Sequence, residues 1–310
     1  MAHCLKAAGQ HRAFSSQAQN GARRTAIVKP TTQLLASRNE QHATDSQQHH
    51  AGSMIAAAAL AAAALCSSPN MALAAEDAAA TTGNAAVPTA YFGNGCFWGR
   101  QKDFVDTELR LGRTSPADIS ALVGYAGGKA TGPDGKVCYY YNGDPRTIYE
   151  RLGHAEVVQV ALSQQQQDAQ QEFQAFADTY FKQFQQAPRG RGMMRLDPQD
   201  AGPGYRNVVG LPGGVSSPYY KLLQAANVNG MELREGKGNV YERGQAVEGD
   251  EINVVWVVDS DELPFYRAEV YHQFHNGLGK AFSPAYTRDL KQAVLSAGKI
   301  APTGCLEVPF

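Results

Sequence analysis

Cysteine is scarce and scattered in this chain. Its 310 residues hold five, at positions 4, 66, 96, 138 and 305, and no two form a CxxC pair. That spacing excludes a zinc finger or ribbon and gives no sign of a disulfide framework. Histidine is sparse too. Five of the eight lie before residue 51, which leaves His154, His272 and His275, and no metal-ligand pattern surrounds them, so no metal is expected. Asp and Glu are missing from residues 1–39, which carry six Lys or Arg. The longest apolar run, "MIAAAALAAAALC" at 54–66, has 13 residues. A bilayer span needs about 20, so no stable membrane span is expected. Basic charge is not in excess. Residues 75–310 hold 22 Lys or Arg against 27 Asp or Glu, a net charge of about −5, which argues against a nucleic-acid surface.

What is present divides the chain in two. The basic leader is rich in Ala, Ser, Thr and Gln, the composition of an organelle transit peptide. The 13-residue apolar run has the length of a signal-peptide core, and Ala72–Ala74 offers a small-x-small cleavage site. Together they resemble a bipartite chloroplast address ending in the thylakoid lumen. A single Ala-rich transit peptide ending in the stroma is the alternative. Residues 1–75 are therefore expected to be a targeting region. Residues 76–87, "EDAAATTGNAAV", read as a small, polar linker. Residues 88–310 are long enough for one domain with a real core.

Within that domain, "PTAYFGNG" predicts a short strand ending in a glycine turn. Phe97, Phe104, Val105 and Leu109 predict a helical stripe. Cys96 then falls at a strand-to-helix junction, in the first turn of the helix. "ALVGYAGG" and "HAEVVQVAL" predict strands, and in the second Glu156 shares the parity of Val158, Val160 and Leu162. A carboxyl on an apolar face is costly to ionise, so its pKa is expected to rise. Ser163 with Gln166 predicts a capped helix carrying Ala169, Phe173, Phe176, Tyr180 and Phe184. "YRNVVGL" and "INVVWVV" predict strands, the latter central. Two more helices are expected, one capped by Ser217 with Pro218 at its first position, and one from Pro284 to Gly298. The tail "KIAPTGCLEVPF" has no period and is expected to be mobile. Strands and helices mix without strict alternation or repeats. The expected fold is α+β, a two-layer sandwich of a mixed β-sheet with packed helices and a cysteine at a helix N-terminus.

"GNGCFWG" is one residue too long for a GxGxxG dinucleotide loop and places bulky aromatics after the second glycine. Cys96 is thus either a reactive thiol or a packing residue. The helix start favours the first, because a helix N-terminus stabilises thiolate. "GCFWG" resembles the signature of the A-type peptide methionine sulfoxide reductases. Four further stretches resemble that family in the same order: "GYAGG" at Gly124–Gly128, "GHAEVV" at Gly153–Val158, "DAGPGYR" at Asp200–Arg206 and "AEVYHQ" at Ala268–Gln273. Together they cover residues 91–275.

The resemblance implies an oxidoreductase that converts methionine S-sulfoxide, free or in proteins, to methionine. It implies Cys96 as nucleophile and Glu156 as the acid that protonates the sulfoxide oxygen. Asp200 and Tyr205 would help hold that oxygen and a water. Phe97 and Trp98 would form the methyl pocket. Cys96 would end as a sulfenic acid, and a second cysteine would resolve it to a disulfide that a thioredoxin-like dithiol reduces. No bound cofactor is implied, and a monomer is expected. Cys305, near the chain's end, is the favoured resolving residue, with Cys138 the alternative. The chain departs from the family pattern in "YYYNGDPRTIYERL", which is longer than usual. The oxygen-binding tyrosine there has four candidates, Tyr139, Tyr140, Tyr141 and Tyr149, of which Tyr149 is preferred. "MELREGKGNVYERGQAVEGDE" also looks like an insertion. Two other functions keep a place: a thiol peroxidase or redox sensor, and a sulfoxide-binding module without recycling.

Overall fold

A computed structural model describes residues 87–140, 143–197, 200–242 and 245–308. The targeting region 1–75 and all but the last residue of the linker lie outside them. The architecture is α+β, built on one seven-stranded mixed sheet. In chain order the strands are β1 (Thr89–Gly93), β2 (Leu122–Ala126), β3 (Ala155–Ala161), β4 (Phe184–Gln186), β5 (Met193–Arg195), β6 (Val208–Leu211), β7 (Glu232–Glu235), β8 (Tyr241–Glu242), β9 (Gln245–Ala246), β10 (Val254–Asp259) and β11 (Tyr266–Arg267). The main sheet runs β11-β2-β3-β1-β6-β10-β7, while β4–β5 and β8–β9 form two small antiparallel pairs. Pairing is antiparallel from β11 to β6 and parallel from β6 through β10 to β7. "INVVWVV" therefore lies one strand in from the β7 edge.

Alternation along each strand sorts the core into two faces. Ala90 and Phe92 of β1, Val158 and Val160 of β3, Val209 and Leu211 of β6, and Val255 and Val257 of β10 join one large cluster. The residues between them, Tyr91, Val157, Val208, Val254 and Trp256, join a smaller one. The large cluster is completed by helices α1 (Phe97–Arg110), α2 (Gln166–Phe181), α3 (Tyr220–Ala226) and α4 (Lys291–Ser296). The helices thus form a second layer over one sheet face. Among the described residues, no helix is long and apolar enough to cross a membrane.

Several local expectations are corrected. Leu109 is 44% exposed, and Glu108 takes the inward position instead. The buried stripe of α1 runs 97, 101, 104, 108, so Gln101 and Glu108 sit where apolar residues were expected. Glu108 is compensated by Arg113, by the Ser120 N–H and hydroxyl, and by the Ala121 N–H. α2 starts at Gln166 with Gln165 at its cap and no side-chain capping bond. The Ser163 hydroxyl bonds Gln165, and its N–H donates to Glu172, so the foreseen capping box does not form. Phe184 leaves the helix and enters β4. The helix expected from Ser217 is the seven-residue α3, and Ser217 lies before it with its hydroxyl accepting the Tyr219 N–H. The last helix opens as a π-helical stretch, Ala285–Leu290, before α4.

The tail expected to be mobile is anchored. Glu307 accepts the Val270 N–H at 2.8 Å and the Thr303 N–H at 3.3 Å. Cys305 is joined to Cys138 by a disulfide, with the Cα atoms 5.8 Å apart across 167 residues of sequence. The scattered cysteines therefore do build a crosslink, which linear spacing hides.

Candidate active site around Cys96

β1 ends in a tight turn that delivers Cys96 to the start of α1. Gly95 adopts φ +93°, a region side-chain-bearing residues rarely enter, and its N–H donates to the Tyr205 carbonyl at 2.9 Å. Cys96 is the N-cap residue, in extended conformation and 3% exposed. The helix N-terminus beside it leaves backbone donors without intrahelical partners. Phe97 supplies one of them to Glu156: its N–H donates to Oε2 at 2.9 Å. That bond ties the carboxyl to the residue that follows the thiol.

Glu156 projects from β3 into the helix-covered face, as its parity foretells, and it is fully buried. Burial holds its carboxyl well above the usual carboxylate range. The Phe97 N–H pulls the other way, and the negative charges of Asp200 and Glu150 push it further up. With Oε2 occupied by Phe97, the acidic proton belongs on Oε1. The Tyr149 hydroxyl lies 3.4 Å from that oxygen, a long contact at the limit of a hydrogen bond. Tyr149 is the tyrosine preferred from sequence, and Tyr139 stands in the same wall of rings.

That wall is continuous. Tyr149 stacks on Tyr125 at 4.6 Å, Tyr125 lies 6.0 Å from Phe97, and Tyr139 lies 4.4 Å from His272. Trp98 stacks on His275 at 3.9 Å, and its indole N–H donates to Nδ1 of His272 at 3.3 Å. His272 must therefore carry its proton on Nε2. Burial lowers its pKa well below the ordinary value and keeps the ring neutral, as this acceptor role requires. Its place is to orient Trp98.

Asp200 and Tyr205 come from the turn before β6. Arg195 of β5 holds the turn by donating to the Asp200 carbonyl at 3.4 Å and pairing with Asp250, which accepts the Gly202 N–H at 2.8 Å. Asp200 and Tyr205 are both buried, and both act electrostatically on the Glu156–Tyr149–Tyr125 group. The structure thus gathers Cys96, Phe97, Trp98, Tyr149, Glu156, Asp200 and Tyr205. Cys138 connects to this group through a chain of rings: Tyr139 follows it, the Tyr139 ring meets His272, and His272 lies 5.4 Å from Phe97.

Sequence reasoning assigned nothing to Glu269. It is buried, accepts the Tyr125 hydroxyl and the Tyr139 N–H at 2.8 Å each, and so braces the aromatic wall from behind. Gln101 and Gln273 were also missed. Gln273 bonds both backbone groups of Val123, and Gln101 accepts the Phe274 N–H, locking the 268–274 segment against β2 and α1. A glutamine in a helix's buried stripe was the available signal.

The glycine loop after β2 is fixed by backbone contact. A Cβ on Gly128 would lie 2.6 Å from the Leu152 carbonyl oxygen and 2.7 Å from the His154 nitrogen. The Gly128 N–H also donates to Nδ1 of His154, whose pKa burial lowers to about 4. Gly128→Ala is expected to lower stability by about 1–3 kcal/mol, because rigid backbone must move. A urea midpoint equal to that of the parent would show that the loop has slack.

No family model matches the chain, and no curated protein matches it. Among solved structures, the chain is similar to "Methionine sulfoxide reductase A of Corynebacterium diphtheriae". The identity is 18% and the TM-score 0.33, over 62% of this chain and 74% of that chain.

Proposed function

We propose that the domain reduces methionine S-sulfoxide, with Cys96 as nucleophile and Glu156 as acid. The observation that carries this is the Glu156 carboxyl, fully buried with its pKa raised and bonded to the first helical N–H after Cys96. Sulfoxide oxygen leaves poorly until protonated, so a carboxylic acid kept neutral near pH 7 beside a nucleophile is what this chemistry requires. Cys96 sulfur attacks the sulfoxide sulfur while the oxygen takes the Glu156 proton. The S–O bond breaks and the oxygen leaves as water, its second proton coming from the Cys96 thiol. A water then attacks the Cys96 sulfur and returns a proton to Glu156. The bond between the two sulfurs breaks, methionine leaves, and Cys96 becomes a sulfenic acid. Phe97 and Trp98 offer apolar surface for the methyl group, and Tyr149, Asp200 and Tyr205 the polar side for the oxygen.

Recycling falls to the Cys138–Cys305 pair. One of its thiols attacks the sulfenic sulfur and releases water. The other then attacks that disulfide, frees Cys96 and leaves Cys138 joined to Cys305. A thioredoxin-like dithiol would reduce the pair again. The choice between Cys305 and Cys138 thus gives way to a relay that needs both. On this reading the protein acts as a monomer in the chloroplast, in the thylakoid lumen or the stroma.

The test is turnover by the full chain on a peptide bearing each sulfoxide epimer, followed by the loss of oxygen mass. Turnover of the S epimer alone, absent in Cys96→Ser, is expected. Cys138→Ser and Cys305→Ser should each complete one turnover yet stall with thioredoxin as reductant. The second reading rests on the burial of Cys96: buried thiols are ordinarily inert packing residues. Untouched peptide, together with a Cys96 that peroxide fails to oxidise, would establish that reading instead.

A further inference from the structure

Cys138, Cys305 and Glu269 lie far apart in sequence yet meet in space. Both sulfurs and a Glu269 carboxylate oxygen all lie within 4.8 Å of one another. We propose that, once the disulfide is reduced, Cys138, Cys305 and Glu269 form a site for a soft divalent cation of the zinc class. The pair is thereby a redox-gated metal site, separate from Cys96.

The donor set fits. Two thiolates and one carboxylate suit zinc or cadmium and select against calcium and magnesium. Three protein ligands leave a fourth tetrahedral position for water. The supporting shell is already built. Glu269 is oriented by the Tyr125 hydroxyl and the Tyr139 N–H. Cys138 is held by two backbone bonds, its N–H to Thr147 and its carbonyl to the Tyr149 N–H. Partners of this kind preset ligand geometry and raise affinity. There is also a way in. A cavity of about 130 Å³ opens beside the pair and is lined by both cysteines with Asp134, Lys136 and Asp144. Cys305 is half-buried on that side, so a reductant, a metal ion and a water share one approach.

The chemistry balances. Two electrons and two protons from an external reductant convert the disulfide to two thiols. The cation then displaces those protons as it binds both sulfurs. Oxidation reverses this, because a disulfide has no thiolate to offer, and the metal is released. None of this depends on sulfoxide chemistry. Where the proposed relay operates, bound zinc would withhold both of its thiols.

The experiment uses the full chain with Cys4, Cys66 and Cys96 replaced by serine, so that this pair holds the remaining thiols. The protein is titrated with cadmium after reduction by a phosphine, and again as the disulfide. The ultraviolet thiolate-to-cadmium charge-transfer band is read, and zinc is used to compete. One cadmium per reduced chain, displaced by zinc, and no band from the disulfide form is expected. Losing an outer partner already costs a metal site about 10–100-fold. Glu269→Gln, which removes a direct ligand, should therefore weaken cadmium by at least about 100-fold. Cys305→Ser changes a tail residue outside the core and should weaken it likewise, which keeps the test decisive if Glu269→Gln does not fold. No band in the reduced chain would overturn the site. An affinity unchanged by Glu269→Gln would remove the carboxylate and reduce the site to a bare dithiol, which also overturns the proposal. Sulfoxide turnover enters neither readout, so the failure of one reading leaves the other standing.

Discussion

Glu156→Gln is expected to slow sulfoxide reduction by about 10²- to 10⁴-fold at neutral pH, the usual contribution of a positioned general acid. The amide keeps an oxygen for the Phe97 N–H and fits the same space, so the loss reports the proton and not the packing. The same change should stabilise the fold, and the sign follows from the raised pKa. Below about pH 4.3 the carboxyl is protonated in both folded and unfolded chains, so it does not distinguish them. As pH rises above that, the unfolded chain ionises while burial keeps the native carboxyl protonated. Native stability then falls by up to about 1.4 kcal/mol per pH unit, until the native group ionises too. The glutamine variant escapes this loss. Its advantage should be near zero at pH 4 and grow to pH 8, read as the difference in urea midpoint between variant and parent. Glu269, whose pKa is also raised, is present in both proteins and cancels from the difference. Parent-like rates in the variant would remove Glu156 from the chemistry. A pH-independent stability difference would mean that its carboxyl is ionised in the native state.

This carboxyl also marks how far the sequence could be read. The parity of Glu156 with Val158 and Val160 needs only strand geometry, and β3 obeys it. The mixed sheet and the cysteine at a helix start were legible for the same reason, since short periods and glycine turns are local signals. What failed was decided between segments. Glu108 is buried in place of Leu109 because Arg113 and the Ser120–Ala121 backbone meet it across a loop. Ser163 gives up its capping box because Glu172, nearly two turns into α2, takes its N–H. The Cys138–Cys305 bond spans 167 residues and needs the tail to return to the connection between β2 and β3, so no spacing rule reaches it. Glu269 had a place in a recognisable stretch but no role, because its partners Tyr125 and Tyr139 stand 144 and 130 residues away.

Arg206 is the extreme case, and removing it should have the largest effect on stability. The guanidinium is fully buried, and its donors reach the Gly153 and Pro203 carbonyls at 3.1 and 2.9 Å and the Gly127 carbonyl at 2.9 Å. It also pairs with buried Glu248 at 3.3 Å. Three of the sequence's glycine-rich stretches thus converge on one side chain: the loop after β2, the entry to β3 and the turn that carries Tyr205. Arg206→Met roughly preserves length and apolar volume but takes the guanidinium away from three carbonyls and from Glu248, of which Gly127 keeps the Asn239 N–H and Glu248 keeps the Lys237 and Gly238 N–H groups. Breaking a buried ion pair from one side costs about 3–5 kcal/mol, a large part of the 5–15 kcal/mol that holds a domain folded. The urea midpoint should fall accordingly. Adding Glu248→Gln should recover part of the loss, because the unpaired charge disappears while the three carbonyls still lack the guanidinium. Lysine should not rescue, since a single ammonium cannot reach all four oxygens in the guanidinium's planar geometry. A loss under about 1 kcal/mol in Arg206→Met would mean that water or a rearranged loop satisfies those oxygens.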